Sequence, residues 1–259
     1  HITFVAPRFP RYKEVSQAIH AIFHDYTDCI EPISLDEAFL DVTENKIGEP
    51  LAVEIARQIR QRIRDELGLT ASAGVSYNKF LAKVASDARK PDGLCTVHPD
   101  QALDFIATLP IEAFWGVGRA TAKRMHELGI STGADLRERS LEELRRRFGK
   151  AGQVFYDFAR GIDDRPVVSE WVRKSFGCEH TFDEDSAEPL EVEARLRLVA
   201  EELQRRLERK GFVGRTLTLK VKFSDFSSLT RSTSDLEPIS SLEGILRLGL
   251  RLLRGLDYS

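Results

Sequence analysis

The segment EPISLDEAFLDVT, residues 31–43, places an acidic pair between two apolar, β-prone stretches. In one regular strand, Asp36 and Glu37 would point to opposite faces and would not share a ligand. The four residues SLDE instead make an acceptable turn with Ser34 at its first position, and a turn aims both carboxylates into the same space. The segment therefore predicts a β-hairpin with Asp36 and Glu37 at its tip.

Two adjacent carboxylates at a hairpin tip suit a metal ion. They repel each other unless a cation neutralises them, and oxygen ligands favour a hard divalent ion. Asp36 and Glu37 therefore predict a metal site, with Mg²⁺ as the natural candidate. The alternative is a solvated turn whose acidic side chains only keep the tip soluble, and the spacing alone leaves both open.

The composition is that of a globular protein without a membrane span. The chain has 259 residues, 42% hydrophobic and 31% charged, and no apolar run approaches the roughly 18 residues that cross a bilayer. This length predicts two or three domains. The three cysteines lie far apart with no CxxC spacing, and no signal peptide precedes the first helix, so the cytoplasm is the expected location. Because the net charge is −3, nucleic-acid binding would depend on local placement of positive charge.

Residues 1 to about 97 alternate helical and β-prone segments, which predicts an α/β or α+β sheet layer. One helix is predicted to end at Gly68, and a second to be capped by Asn78 and to stop before Pro91. The apolar stripe of the first of these helices, with a spacing of four, consists of Leu51, Ile55, Ile59 and Ile63.

The second helix belongs to the basic segment NKFLAKVASDARKPDG, residues 78–93. It carries four cations around the helix and the Pro-Asp-Gly turn: Lys79, Lys83, Arg89 and Lys90. A lysine at such a turn is well placed to meet phosphate oxygens. A solvated basic face is the alternative.

From His98 to Asp164 the segments become short and helical, which predicts a compact all-helical module. Within it, FWGVGRATAKRMHELGI (114–130) has the pattern of a helix-hairpin-helix motif. Glycines in the hairpin allow a DNA phosphate to approach exposed amides, and a helix N-terminus favours the negative charge. A purely structural turn is the alternative, and Trp115 is expected to pack rather than to stack on a base. The second helix is predicted to face inward with Ala120, Ala122, Met125 and Leu128.

The last part of the chain is predicted to follow an extended linker at DDRPVVSEWVRKS, residues 163–175. RTLTLKVKF (215–223) alternates strictly, which predicts a strand with one core face and one wet, basic face. The core face carries Leu217, Leu219, Val221 and Phe223, and the wet face carries Thr216, Thr218, Lys220 and Lys222. Helices at 190–209 and 242–253 are expected to cover the core face.

Taken together, the chain resembles the Y-family (translesion) DNA polymerases, and most closely the bacterial DNA polymerase IV type. The resemblance is carried, in order, by YTDCIEPISLDEAFLDVT, GVSYNKFLAKVASDARKPDG, FWGVGRATAKRMHELGI, SFGCEHTF and LTRSTS. It implies an α+β multidomain fold with a palm sheet and helices, an all-helical thumb and an α/β little finger. The implied domains are a fingers remnant at 1–7, a partial palm at 8–97, the thumb at 98–165, a linker at 166–172 and an incomplete little finger at 173–259.

The resemblance also implies the chemistry. Asp36 and Glu37 would be the catalytic metal ligands and Lys90 would contact the incoming deoxynucleoside triphosphate. Two Mg²⁺ ions would support nucleotidyl transfer onto a primer 3′-OH in low-fidelity translesion synthesis. Primer-template DNA would be the partner, with a sliding clamp for the intact protein and no membrane. The implied DNA contacts are Gly116, Gly118, Lys174, Ser175, Arg231, Ser232 and Thr233.

Parts of the family pattern have no counterpart in these 259 residues. The first strand, with another metal-binding Asp, and most of the fingers would precede His1, and a further strand would follow Ser259. We therefore expect a piece of a longer protein that alone incorporates nucleotides poorly. Two rival hypotheses are a non-catalytic DNA-binding homologue acting as an accessory subunit and a nucleotide cyclase. The intact acidic pair and Lys90 argue against the first for the parent protein, and the helix-hairpin-helix motif argues against the second.

Overall fold

The computed structural model describes residues 2–170 and 172–256, in two compact units that divide the chain at 171/172. The helices are α1 (Phe9–His24), α2 (Ala52–Leu67), α3 (Lys79–Ala88), α4 (Ala102–Thr108), α5 (Arg119–Glu127), α6 (Gly133–Arg137), α7 (Leu141–Phe148), α8 (Lys150–Phe158), α9 (Pro189–Lys210) and α10 (Leu242–Arg254). The strands are β1 (Ile30–Pro32), β2 (Ala38–Leu40), β3 (Ala73–Val75), β4 (Leu94–Thr96), β5 (Gly214–Lys222) and β6 (Ser228–Ile239). The mixture of helices and small sheets confirms the predicted α+β class. Within the described ranges, no helix combines the length and apolar character needed to cross a bilayer.

The hairpin predicted from the acidic segment is present. Strands β1 and β2 pair antiparallel with Pro32 opposite Ala38, and the Ile33 N–H donates to the Glu37 carbonyl at 2.8 Å. Strands β3 and β4 form a separate parallel pair. In the described residues the predicted sheet layer therefore consists of two independently hydrogen-bonded pairs.

Helix α1 and the residues that follow it pack on α2 through an apolar cluster. Its buried members are Ile22, Tyr26, Ile55, Ile59 and Ile63. As predicted, Gly68 ends α2 in the left-handed conformation, with φ 65°, which glycine adopts without a Cβ penalty. The placement of Leu51 on the buried stripe was wrong, because the helix begins at Ala52 and Leu51 lies exposed at its N-cap.

Helix α3 lies directly against β3. A Cβ atom at Gly74 would come within 2.0 Å of the Ala82 carbonyl oxygen, so only glycine permits this approach. The Asn78 side chain caps the helix by accepting from the Leu81 N–H at 2.9 Å, as predicted. The helix ends at Ala88, before Pro91.

A single buried cluster joins α3 to the following helices. Phe80 is fully buried and stacks on Phe158, with ring centroids 4.1 Å apart. The ring of Phe114 also packs on Phe80, with ring centroids 5.4 Å apart. Other buried members are Leu81, Val84, Ala85, Ile106, Ile111, Met125, Leu136, Leu144 and Phe155. The expected palm and thumb ranges therefore share one core, and the boundary between them stays a prediction.

The predicted helix-hairpin-helix segment folds as a single 3-10 turn at Ile111–Ala113, a Gly-Val-Gly loop and α5. Ala122 and Met125 are buried, and Leu128 packs against the core. Ala120 is exposed, so its inward placement was wrong. Two residues span about 200° of a helix, which turns Ala120 away from the face that carries Ala122.

In the unit after residue 171, β5 and β6 pair antiparallel with a register irregularity between Gly214 and Thr216. Helix α10 packs on both strands and α9 packs on α10. The predicted alternation along β5 is confirmed, but its apolar face is only partly covered, and Leu219 and Phe223 are half-exposed rather than core. Helix α10 packs directly on the strands, and α9 contributes Leu203 and Leu207 to the same apolar cluster as Leu217 and Ile239.

The shared core predicts a large cost for truncating Phe80. Phe80→Ala is expected to lower the free energy of unfolding by about 3 to 5 kcal/mol, because it empties a fully buried, stacked position. Phe4→Ala, at a side chain that is 93% exposed, is the control and is expected to change stability by less than about 0.5 kcal/mol. Urea denaturation measures both, and equal effects of the two variants would contradict the prediction.

Candidate active site

The acidic turn is shaped by Ser34. Its Oγ donates to Asp36 Oδ1 at 2.5 Å, and the Asp36 N–H donates back to the same Oγ at 3.2 Å. Such side-chain contacts replace backbone hydrogen bonds in tight turns. Asp36 is exposed and Glu37 is partly exposed, so the hairpin presents both carboxylates at its accessible tip.

Glu37 is held from α3. Lys83 Nζ donates to Glu37 Oε1 at 2.8 Å, and the Lys83 side chain is only 19% exposed. Burial acts to lower the pKa of Lys83, but the hydrogen bond to Glu37 and the charge of Asp87 outweigh it and raise this pKa above its ordinary value. Lys83 is therefore a fixed cation beside the turn.

A second lysine of α3 holds the base of the hairpin. Lys79 Nζ donates to both oxygens of Glu31, at 2.7 and 2.6 Å, and to the Pro166 carbonyl at 3.2 Å. Glu31 also accepts from the Val168 N–H at 2.8 Å. Burial acts to raise the pKa of Glu31, but the bonds from Lys79 and Val168 prevail and hold it below its usual value. One ion pair thus joins β1, α3 and residues 166–168.

The segment after α8 is fixed to the start of α3. Asp163, with a side chain 2% exposed, accepts from the Phe80 N–H at 2.9 Å and from Arg165 Nε at 2.6 Å. Burial acts to raise the pKa of Asp163, but the bonds from Arg165 and Phe80 lower it overall. Arg165 lies 4.3 Å from the ring centre of Trp115, which packs against the core. The packing role expected for Trp115 is confirmed.

Lys90 lies beyond the end of α3. Its Nζ is 2.5 Å from Asp87 Oδ1, and its side chain is 52% exposed. Of the four cations of this segment, Lys79 and Lys83 are thus committed to carboxylates of the hairpin. Lys90 stays accessible for a further anion.

The donor set of the turn fits a hard divalent cation in part. Asp36 and Glu37 supply two carboxylates, and Mg²⁺ is commonly bound by one or two carboxylates together with water and substrate phosphates. Across residues 2–170 and 172–256, no three His, Cys, Asp or Glu side chains are grouped so as to hold a metal ion. A metal at the turn would therefore need further ligands from outside the described residues, such as water or substrate phosphates.

The Gly-Val-Gly loop is open on its outer side. Gly116 has φ 89°, which favours glycine, whereas Gly118 has φ −83°. A Cβ at either position would meet nothing within 4 Å. Neither φ nor packing within the fold requires glycine at position 118, so the outer side of the loop is left unobstructed. No side chain caps the following helix α5, which leaves its first amides available.

The predicted contacts in β6 lie on two faces. Ser232 is opposite Thr218, with their hydroxyls 2.9 Å apart, on the exposed polar face. Thr233 is on the other face, where its Oγ1 accepts from Arg251 of α10 at 2.5 Å. Arg231 shares that face with Leu219. Lys174 and Ser175 are exposed in an extended segment before α9. The structure therefore joins Ser232 to the basic face of β5 and separates it from Arg231 and Thr233.

That exposed face is rich in hydroxyls. A second pair, Thr216 and Ser234, has oxygens 2.9 Å apart, and Lys220 pairs with Glu179 at 3.1 Å. The alternation of β5 indicates its members from sequence, but the pairing with β6 does not follow from sequence. The supporting acids Glu31 and Asp163 gave no sequence signal, because Lys79 and the Phe80 N–H, with which they bond, lie on another element.

Comparisons with known families place matches along most of the chain. Residues 1–87 match the impB/mucB/samB family, and residues 173–259 match the C-terminal domain of the same family. Residues 112–163 match the thumb domain of DNA polymerase-iota.

Two proteins with high sequence identity to this chain are named DNA polymerase IV. The chain is 61% identical over 257 residues to DNA polymerase IV of Bacteroides fragilis, covering 99% of this chain and 71% of that protein. It is also 61% identical to DNA polymerase IV of Akkermansia muciniphila, covering 99% of this chain and 72% of the other.

Among solved structures, a Y-family DNA polymerase chimera superposes with a TM-score of 0.85 at 29% identity, over 95% of this chain and 71% of that one. An insertion ternary complex of the Dbh DNA polymerase superposes with a TM-score of 0.58 at 28% identity, over 97% and 72%.

The Lys79–Glu31 pair predicts an asymmetric response to mutation. Lys79→Met is expected to lower the free energy of unfolding by roughly 3 kcal/mol, because it leaves a partly buried carboxylate without its cation. Combining it with Glu31→Gln should cost less than the sum of the two single changes. Chemical denaturation of the four proteins gives this cycle, with the exposed Lys13→Met as control. Strict additivity would show that the pair is not coupled.

Proposed function

The chain belongs to the Y-family of DNA polymerases, of the DNA polymerase IV type, and we propose that the intact protein adds nucleotides at the acidic turn of hairpin β1–β2. It is a DNA-directed DNA polymerase of the translesion class, so its substrates are a primer-template and deoxynucleoside triphosphates. The observation that carries the proposal for the site is the exposed pair Asp36 and Glu37, supported from behind by Lys83 of α3.

Asp36 and Glu37 are the residues that would hold divalent metal. When bound, two Mg²⁺ ions would neutralise charge on the reacting phosphate and on the primer oxygen. The chain itself contributes position: Ser34 fixes the turn and Lys83 fixes the Glu37 carboxylate. Lys90, at the exposed end of α3, is proposed to bind phosphate oxygens of the incoming triphosphate, where a lysine acts as a point charge.

Two surfaces are proposed to bind the DNA backbone. The first is the open Gly116–Gly118 loop with the uncapped amides of α5, where a phosphate can approach without a side chain in the way. The second is the exposed face of β5 and β6, with Ser232, Thr218 and Lys220. Contacts of this kind do not depend on sequence, as a polymerase requires. Lys174 and Ser175 remain proposed contacts, whereas Arg231 and Thr233 lie on the opposite face of the sheet. A sliding clamp and a cytoplasmic location stay predictions.

The proposed role of Asp36 as a metal ligand predicts a severe loss of polymerase activity when Asp36 is replaced. Asp36→Ala in the intact protein is expected to slow Mg²⁺-dependent single-nucleotide incorporation about a thousandfold or more, the size of a lost contact to transition-state charge. Glu44→Ala, at an exposed acid outside the turn, is the matched control. DNA affinity, measured in parallel, should stay unchanged.

Two outcomes would change this conclusion. If the intact protein binds DNA but never extends a primer, the non-catalytic DNA-binding function takes its place. If Asp36→Ala extends normally, the pair is a solvated turn. The same assay on the 259 residues alone checks the expectation that they incorporate poorly.

The loop hypothesis predicts a separate effect on DNA binding. Gly118→Val is expected to weaken binding about tenfold, or about 1.4 kcal/mol, because its methyl groups occupy space that a phosphate needs. Stability should fall by no more than about 1 kcal/mol, since the space is empty in the fold and the change affects only the N-cap of α5. Ala151→Val, an exposed site on α8, adds bulk elsewhere and is the control. The affinity for a labelled primer-template is measured by fluorescence anisotropy. An unchanged affinity in Gly118→Val would show that the loop is a structural turn without a role in DNA binding.

A further inference from the structure

A chain of alternating charges runs along one side of α3. Glu37 Oε1 is 2.8 Å from Lys83 Nζ, and Lys83 Nζ is 3.5 Å from Asp87 Oδ2. The other oxygen of Asp87, Oδ1, is 2.5 Å from Lys90 Nζ. The order of charges from the acidic turn to the Pro-Asp-Gly turn is therefore negative, positive, negative, positive.

The spacing along the helix explains this arrangement. Lys83 and Asp87 are four residues apart and share one side of α3, and Lys90, two residues beyond the end of the helix, pairs with Asp87 from there. Glu37 reaches the first of them from the hairpin. The proposed metal turn and the proposed triphosphate lysine are thus connected by only two side chains.

We propose that Lys83 and Asp87 are positioning residues for nucleotide addition: Lys83 fixes Glu37 at the metal turn, and Asp87 occupies Lys90 until a triphosphate replaces it. The proposal rests on the polymerase function assigned to the turn and to Lys90.

Lys83 differs from Lys90 in ways that suit a positioning role. It is 19% exposed against 52% for Lys90, and its ammonium is directed at two carboxylates. A lysine so placed orients a carboxylate, and it is not presented to a ligand from solution.

Asp87, in contrast to Lys83, is proposed to hinder rather than to support its partner, Lys90, in nucleotide binding. Its carboxylate competes with phosphate oxygens for the same ammonium, and both side chains are about half-exposed. Exchange of one anion for another at such a pair is easy, because exposed ion pairs are weak. Removing the Asp87 charge should therefore favour the triphosphate, whereas damage to the fold would weaken its binding.

The experiment measures pre-steady-state incorporation by the intact protein on a primer-template, which separates the maximal rate from the apparent Kd of the nucleotide. Lys83→Met is expected to lower the maximal rate about tenfold or more through misplacement of Glu37, with the nucleotide Kd little changed, and Lys83→Arg should restore part of the rate. Asp87→Asn should lower the nucleotide Kd about threefold, the effect of one exposed ion pair. Combined with Lys90→Ala, Asp87→Asn should no longer change the Kd.

Lys13→Met is the control, because it removes an exposed lysine of α1 that has no hydrogen bond or ion pair with the hairpin or with α3 among the described residues. Neither its thermal stability nor its maximal rate should change. A normal rate in Lys83→Met, or an unchanged or raised Kd in Asp87→Asn, would overturn the proposal while wild-type extension and its loss in Asp36→Ala still support the polymerase site. If the wild-type protein does not extend at all, the proposed function itself fails.

Discussion

The ion pair between Lys79 and Glu31 is the interaction on which the candidate site depends. Taking both groups out of water is costly, so such a pair is tolerated only when its remaining hydrogen-bonding capacity is used. Lys79 meets this condition by donating to both carboxylate oxygens and to Pro166, and Glu31 by accepting also from Val168. The pair thereby fixes the hairpin, α3 and the segment after α8 with respect to one another, inside a single compact unit.

The candidate site combines this fixed ion pair with two exposed side chains, Asp36 in the hairpin turn and Lys90 beyond the end of α3. Helix α3 is anchored on one side by Phe80 in the core and on the other by its contact with Gly74 of β3. From that position it directs Lys83 at Glu37 and leaves Lys90 exposed beyond its end. Rigid support under exposed polar groups is what a site needs when its ligands arrive from solution. The Gly-Val-Gly loop follows the same logic, since its neighbours Phe114 and Trp115 pack inward.

Much of this was predictable from sequence, and the exceptions have a physical pattern. Local signals succeeded: the hairpin at Asp36 and Glu37, the Asn78 cap, the Gly68 ending and the alternation of β5. Predictions of burial failed at the starts of helices, as at Leu51 and Ala120, and where no element fully covers a strand, as at Phe223. Burial depends on what packs against a residue, which the local sequence does not contain. The pairing of Lys79 and Lys83 with Glu31 and Glu37 was not predictable either. Periodicity gives the face of a helix, but not the side chains on another element that oppose it.

The hydroxyl pairs on the outer face of β5 and β6 have a consequence for movement along DNA. In the pairs Thr216–Ser234 and Thr218–Ser232, either oxygen can be the donor, since a hydroxyl hydrogen rotates to suit its partner. Such a surface can offer its hydrogen to whichever phosphate oxygen passes over it, without moving heavy atoms. In the proposed complex with DNA, two such pairs would keep a hydrogen bond available to the backbone while the duplex advances by one base pair.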